Sequence, residues 1–362
     1  MAEHTDDNIV DPQDAAESAG LTYVTDTTPG ITRRKAGKGW AYTDPKGKRI
    51  ANRDRIDALN ALAIPPAYTD VWICPDPDGH LQATGRDAKG RKQYRYHPRF
   101  REVRDGTKYE HMIDFAHALP GIRSQVDADM RKRGLPREKV LATVVHLLET
   151  TMIRVGNADY AKQNESYGLT TLEDEHVDVA GSELKFHFKG KSGKMWKLKV
   201  KDRRVAKIVK QSQDLPGEHL FQYVDDDGEQ HQVTSGDVND YLRQIAGTHI
   251  TAKDFRTWTG TVLAALALVE FEKCDSQAAA KRNVRAAIEK VAARLGNTPT
   301  VCRKCYVHPE VLDSYLAEEL VLEAQRQASR ELTEKRATLR PEEVQVLTFL
   351  EQRLKNKATL AA

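Results

Sequence analysis

Apolar and polar positions alternate with a period near two in short runs of the first third of the chain, and with a helical period through most of the rest. From Ile31 to about Tyr96, runs such as Asp70-Val71-Trp72-Ile73-Cys74 lie between turn signals that include Gly37-Lys38-Gly39, Asp44-Pro45-Lys46-Gly47, Pro65-Pro66 and Asp76-Pro77-Asp78-Gly79. This punctuation predicts a small β-rich lobe over about 31–108. In its last run, alternation sets Tyr94 and Tyr96 on one strand face and Gln93, Arg95 and His97 on the other. From about Glu110 the period becomes helical. Val140, Val144, Leu147, Leu148, Met152 and Val155 predict one apolar stripe ending at Gly156-Asn157, with Arg154 near the stripe rather than opposite it. Val284, Ala287, Ile288, Val291 and Leu295 predict a second helix from Ser276 to Leu295, stopped by Gly296 and cationic on its other face. Between the two helices lies a hairpin with Leu184, Phe186 and Phe188 on one side and Trp196, Leu198 and Val200 on the other. Its turn, Gly190-Lys191-Ser192-Gly193, holds Lys191 out on a tip. Two further helices are expected from Glu310 to about Arg336 and from Pro341 to about Lys355.

The predicted fold class is therefore α+β: the β-rich lobe, a larger and mainly helical domain over 109–316 with a small hairpin, and a helical tail over 317–362. Residues 1–30 fit neither period. They hold seven acids and no Lys or Arg, and such a segment is expected to be a disordered arm. The arm also hides the charge of the rest, because a net +3 for 362 residues becomes +10 over 31–362. A positive body favours an anionic partner such as nucleic acid. Its densest stretch, Arg86 to Lys108, carries nine basic residues against three acids.

Charged residues make up 30% of the chain and no apolar run approaches 18 residues, so no membrane-spanning helix is expected. The acidic N-terminus lacks a basic segment followed by an apolar one, which argues against secretion and for a cytoplasmic location. Four cysteines, Cys74, Cys274, Cys302 and Cys305, are too few for a disulfide scaffold. GxxxxGK[ST], HExxH and GxGxxG are absent, so neither ATP nor a tight catalytic metal is implied. Cys302-Arg303-Lys304-Cys305 has metal-ligand spacing but lacks the second pair that a zinc site needs.

Four segments place cations or hydroxyls where packing alone does not explain them. They are Met152 to Asn157 with the later Asn164 to Leu172, Phe188-Lys189-Gly190-Lys191, Lys253 to Trp258, and Leu295 to Tyr306. Thr251 and Asp254 have capping-box spacing, which sets Lys253 and Arg256 in the first turns of an apolar helix. Thr298 can cap a short helix with Pro299 at its first position, bringing Tyr306 two turns in.

In these motifs, from about Ile31 to about Leu316, the chain resembles the type IB DNA topoisomerases, specifically the small bacterial and poxvirus-like enzymes. The intervals of 37, 65 and 50 residues between Arg154, Lys191, Arg256 and Tyr306 are similar to the family pattern. The resemblance implies a two-lobed monomeric clamp on double-stranded DNA, nucleoid-associated, that needs neither ATP nor a metal. In such enzymes a tyrosine attacks the phosphodiester and forms a 3′-phosphotyrosyl link. By this resemblance Tyr306 is the nucleophile, Arg154 and Arg256 clamp the phosphate oxygens, and Lys191 is the general acid for the leaving 5′-oxygen, with Lys253 assisting. Asn297 stands where the best-known members carry histidine; it can donate a hydrogen bond but cannot be an imidazolium. Lys89, Arg91, Lys92, Gln93 and Tyr94 match the DNA-contacting stretch of the N-terminal lobe. A tyrosine recombinase shares much of this constellation, and Tyr306-Val307-His308 echoes it. The β-rich first lobe and Lys253 in place of histidine argue against that alternative. A DNA-binding module without chemistry is the third reading.

Overall fold

Helices and small antiparallel sheets alternate along the chain in the computed structural model, which describes residues 11–37, 39–225, 227–247, 249–271, 276–320, 322 and 339–361. The chain divides into two compact units, one ending at His111 and the other beginning at Met112.

The first unit contains α1 (Pro12–Ser18), β1 (Thr32–Ala36), β2 (Gly39–Thr43), α2 (Arg53–Ala61), β3 (Thr69–Ile73), β4 (Leu81–Arg86) and β5 (Lys92–Tyr96). β1 pairs with β2, while β3, β4 and β5 form an antiparallel sheet in that order. Ile31, Tyr42, Leu59, Ile64, Ile73 and Ala83 form its main core. Two features depart from the sequence pattern. Part of the expected disordered arm is ordered: Asp11 caps α1, and Ala15 and Ala16 are buried against Phe100 and Leu21. Few apolar residues of the helix suffice there because it is short and its two alanines join a cluster supplied by Leu21, Phe100, Tyr96 and Val103. Residues 1–10 lie outside the described residues. The second feature is α2, which Asn52 caps by accepting the Arg55 N–H at 2.8 Å.

The unit boundary falls within α3 (Pro98–Asp129), which starts twelve residues before the expected change of period because Pro98 occupies its first position. The second unit continues with α4 (Arg137–Thr151), α5 (Ala158–Asn164), β6 (Val177–Ala180), β7 (Glu183–Lys189), β8 (Met195–Lys201), α6 (Arg203–Gln213), β9 (Gln222–Val224), β10 (Gln230–Gln232), α7 (Ser235–Ala246), α8 (Ala252–Val269), α9 (Gln277–Leu295), α10 (Pro299–Tyr306), α11 (Pro309–Leu316) and α12 (Pro341–Ala361). β6, β7 and β8 form one antiparallel sheet. Leu184, Phe186 and Phe188 are paired directly across from Val200, Leu198 and Trp196, so both apolar rows lie on a single face. The helix expected from Glu310 ends at Leu316; its predicted continuation beyond 322 lies outside the described residues.

α4 and α8 are buried nearly all round. α12 packs on α8 and α11 through Val346, Leu347 and Leu350. Its attachment is also ionic: Arg123 of α3 donates to Glu149 of α4 at 2.6 Å and to Glu343 of α12 at 2.8 Å. Burial alone would raise the Glu343 carboxyl, but Arg123 and the Arg340 N–H hold it below the ordinary range. Glu343 therefore contributes stability that is present above its unfolded pKa and lost as pH falls through the lower folded one. Arg123→Met leaves two carboxylates facing each other and is expected to cost about 3–5 kcal/mol at neutral pH. Urea unfolding should show this loss shrinking as the carboxylates protonate in acid; a difference independent of pH would refute the account.

Candidate active site

α4 ends because Met152 turns left-handed, with φ of 61° and its N–H donated to Leu148 O at 3.2 Å. The apolar stripe thus overran the helix. Arg154 lies in the segment that follows α4, not on the helix. That segment is fixed by backbone pairing, as Leu169 N–H donates to Arg154 O at 2.9 Å and Thr170 N–H to Val155 O at 2.7 Å. The two strands of chain touch at glycines: a Cβ on Gly168 would come within 2.6 Å of Arg154 O and of the Gly156 backbone, and Gly156 has φ of +107°. The Gly168-Leu169-Thr170 motif therefore positions the backbone of Arg154.

Arg256 sits in the second turn of α8, which starts where Asp254 accepts the Thr251 N–H at 2.8 Å. It is 4% exposed. One of its amino groups donates to Met152 O, just before Arg154, and the other donates to Leu295 O at 2.6 Å, at the end of α9. These carbonyls belong to helix ends and would otherwise lack partners. After α9, Gly296 turns left-handed and Asn297 follows, with its Oδ1 accepting from Arg154 Nη2. Thr298 caps α10, Pro299 is its first residue and Tyr306 its last. The Tyr306 ring centroid lies 5.2 Å from Arg256 Cζ. Arg154, Arg256, Asn297 and Tyr306 therefore form one cluster.

Burial, reinforced by the charge of Arg154 and partly offset by Tyr306, pushes the Arg256 guanidinium down to about 10, still protonated at neutral pH. Arg256 Nε and Asn297 Nδ2 are buried without a hydrogen-bond partner. An unsatisfied buried donor costs about 1–3 kcal/mol. These two donors, one on Arg256 itself and one on Asn297, beside the Arg154 guanidinium suit an oxyanion.

The remaining expected residues stand outside the cluster. Lys191 is exposed in the turn between β7 and β8, its Nζ 5.9 Å from the Tyr160 ring centroid. Trp196 seats this turn near the site: it fills the space above both Gly190 and Gly296, where a Cβ would come within 2.6 and 2.7 Å of its ring. Lys253 is exposed on the first turn of α8. In the first unit, Lys89 is exposed at a turn, Arg91 pairs with Asp87 at 2.6 Å and Gln93 donates to the same carboxylate at 3.2 Å. Lys92 pairs with Asp26 at 2.6 Å, and Tyr94 stacks with Tyr96 at 6.1 Å between centroids.

Cys302 is buried and its thiol is pushed up to about 11 by burial, so it is neutral rather than a thiolate; Cys74 is likewise buried, Cys305 is half-buried, and Cys274 lies outside the described residues. Glu173, Glu175 and His176 bring ligand atoms within 4.8 Å of one another. His176 Nδ1 already accepts the Glu173 N–H at 2.9 Å, which leaves the ring proton on Nε2 and opposes ligation there. No described helix is long and apolar enough to cross a membrane.

Comparison with known proteins shows the family of the chain. Residues 97–334 match the family model of the eukaryotic DNA topoisomerase I catalytic core, and residues 39–87 match that of the bacterial DNA topoisomerase IB N-terminal domain. The chain is 31% identical to the DNA topoisomerase 1B of Acanthamoeba polyphaga mimivirus over 293 residues, covering 79% of this chain and 87% of the viral protein. It is 24% identical to the DNA topoisomerase I of Monkeypox virus over 266 residues, covering 71% and 81% of the two chains. The chain belongs to the type IB DNA topoisomerase family.

Sequence reasoning missed Trp196, Tyr160 and Gly260. A glycine inside the otherwise apolar α8 was the available signal for the last. A Cβ there would lie 2.6 Å from Tyr306 O and 3.2 Å from Tyr306 Cβ. The next residue, Thr261, accepts the His308 N–H at 3.0 Å and contacts Tyr306 O at 3.4 Å, so α8 holds the tyrosine by its main chain. Gly260→Ala is expected to slow single-turnover DNA cleavage at least tenfold while DNA binding persists, since a displacement near 1 Å costs about 10²-fold. Unchanged cleavage would refute this positioning.

Proposed function

We propose that the chain relaxes supercoiled double-stranded DNA by cutting one strand through Tyr306, letting the duplex swivel, and rejoining the strand. The observation that carries this reading is the convergence of Tyr306 with Arg154, Arg256 and Asn297 around buried, unpartnered donors. The Tyr306 oxygen attacks phosphorus and releases its proton to solvent. The tyrosyl O–P bond forms as the P–O5′ bond breaks. Charge growing on the non-bridging oxygens is met by Arg154, by the N–H groups of Arg256 not engaged with Met152 and Leu295, and by Asn297 Nδ2. Asn297 holds Arg154 through its oxygen and offers its amide hydrogens to phosphate, a division of labour open to an amide.

Lys191 supplies the proton to the leaving 5′-oxygen, and Lys253 assists; both reach in from exposed positions when DNA is bound. Religation reverses the step: the 5′-hydroxyl attacks the phosphotyrosine and returns a proton to Lys191. Strain in the supercoils drives relaxation and the phosphotyrosyl bond keeps the linkage energy, so neither ATP nor a metal is required. Lys89, Arg91, Lys92, Gln93 and Tyr94 contact the same duplex, with phosphates replacing Asp87 and Asp26 as their partners, and the two units act as a monomeric clamp. A nucleoid-associated, cytoplasmic location accords with that substrate.

A plasmid relaxation assay in EDTA without ATP tests the reading. The parent is expected to relax the plasmid, and Tyr306→Phe to bind DNA without relaxing it. A folded parent that binds tightly and leaves supercoils unchanged would make the chain a binding module. Asn297→Ala is expected to slow single-turnover cleavage by roughly 10²-fold, the loss typical of one oxyanion donor; parental activity would exclude the role assigned to it.

A further inference from the structure

The outward face of the β7–β8 hairpin carries a row of lysines that the site does not use. On β8, Lys197, Lys199 and Lys201 alternate with the inward Trp196, Leu198 and Val200, and all three are exposed. Across the strand pair, Lys199 lies directly opposite Lys185 and Lys197 directly opposite His187. Like charges directly opposed in a sheet destabilise it. Local compensation is thin: the single carboxylate of Glu183 is shared between Lys185 at 3.6 Å and Lys199 at 3.9 Å, and Asp178 faces Lys185 from β6.

The positive surface does not stop at the sheet face. β8 is the terminal strand, and a groove of about 300 Å³ beside it is lined by Lys194, Lys197, Lys199 and Arg294 with no carboxylate among its lining residues. The groove reaches Thr151 and Ala293, in the last turns of α4 and α9, three residues before Arg154 and four before Asn297. Arg294 lies in the last turn of α9, and Lys194 donates to Ala293 O of the same helix at 3.4 Å. Among the described residues, Lys197, Lys199 and Lys201 donate to no such carbonyl.

We infer that the lysine row of β7 and β8 binds the sugar-phosphate backbone of the duplex being cut, to one side of the scissile bond. The inference rests on the topoisomerase reading. The row shares its two strands with the turn that carries Lys191, so a duplex engaged at that turn continues along them. At about 3.4 Å per residue, Lys197 to Lys201 spans about 14 Å. That length matches about four base pairs of one strand at 3.4 Å each. Lysine, a flexible point charge, suits phosphates without reading sequence. Lysines on a terminal strand also prevent edge-to-edge pairing, but that task needs no Lys185 opposite Lys199.

The test is the salt dependence of binding to a labelled linear duplex of about 40 base pairs, for the parent and for the triple variant Lys185→Gln, Lys197→Gln, Lys199→Gln. Each lost phosphate contact lowers the slope of log K against log salt by about 0.9, so a fall of roughly 2–3 is expected. Lys197→Gln and Lys199→Gln alone should each give about a third of it, which keeps the test open if the triple variant folds poorly. Single-turnover cleavage at saturating enzyme should remain parental. An unchanged slope would overturn the inference, as would self-association of the variant at parental slope, which would assign the lysines to guarding the edge. A change confined to supercoiled plasmid would also overturn it, by pointing to a second duplex segment. Failure of the parent to relax DNA would count against the catalytic reading alone, because the slope is read without chemistry.

Discussion

One guanidinium group ties the catalytic unit together at its centre. Arg256 donates to Met152 O at the end of α4 and to Leu295 O at the end of α9, and its remaining face meets Tyr306. Three stretches far apart in sequence are brought into contact by one side chain that satisfies helix-end carbonyls. Replacing it by an apolar residue would orphan both carbonyls in a buried place, and by lysine would supply one donor centre where two are used. The same residue thus holds the frame and, in the proposed reaction, faces the phosphate; the two carbonyls explain why so cationic a group is tolerated at 4% exposure.

Much of this frame could be read from the sequence because local signals set it. The Thr251/Asp254 capping box, the Thr298-Pro299 start of α10, the Gly296 stop of α9 and the alternation of the β7–β8 hairpin all act over a few residues. The four residues of the cluster were legible through their resemblance to a known family, while periodicity alone left each of them an ordinary arginine, asparagine or tyrosine. Signals failed where the deciding contact was remote. Met152 remains buried after α4 ends, so the apolar stripe continued through a helix terminus. α1 is ordered by Phe100, more than eighty residues away, and an acidic composition could not reveal that.

The basic stretch of the first unit shows the same limit. A count of positive residues made it an open cationic edge, yet Arg91 and Lys92 are already paired with Asp87 and Asp26. Burial alone would raise the Asp26 carboxyl, but Lys92 and Thr84 hold it below its ordinary range, so the acid is charged. DNA binding by this stretch, as proposed, is then an exchange of one anion for another, and only part of the expected electrostatic gain survives. The acidic N-terminal segment is in this sense part of the electrostatics of the first unit.

The way α8 grips Tyr306 has its own consequence. Gly260 and Thr261 hold the main chain and Cβ of the tyrosine, and the residue as a whole is half-buried. Motion is thereby confined to the two bonds between Cα and the ring. A residue that is to carry a covalently tethered strand while the rest of a duplex turns must yield at its far end and stay still at its root, and here the root is the floor of a buried helix. Under the function proposed above, a strand joined to Tyr306 pulls on the phenol end, away from that floor.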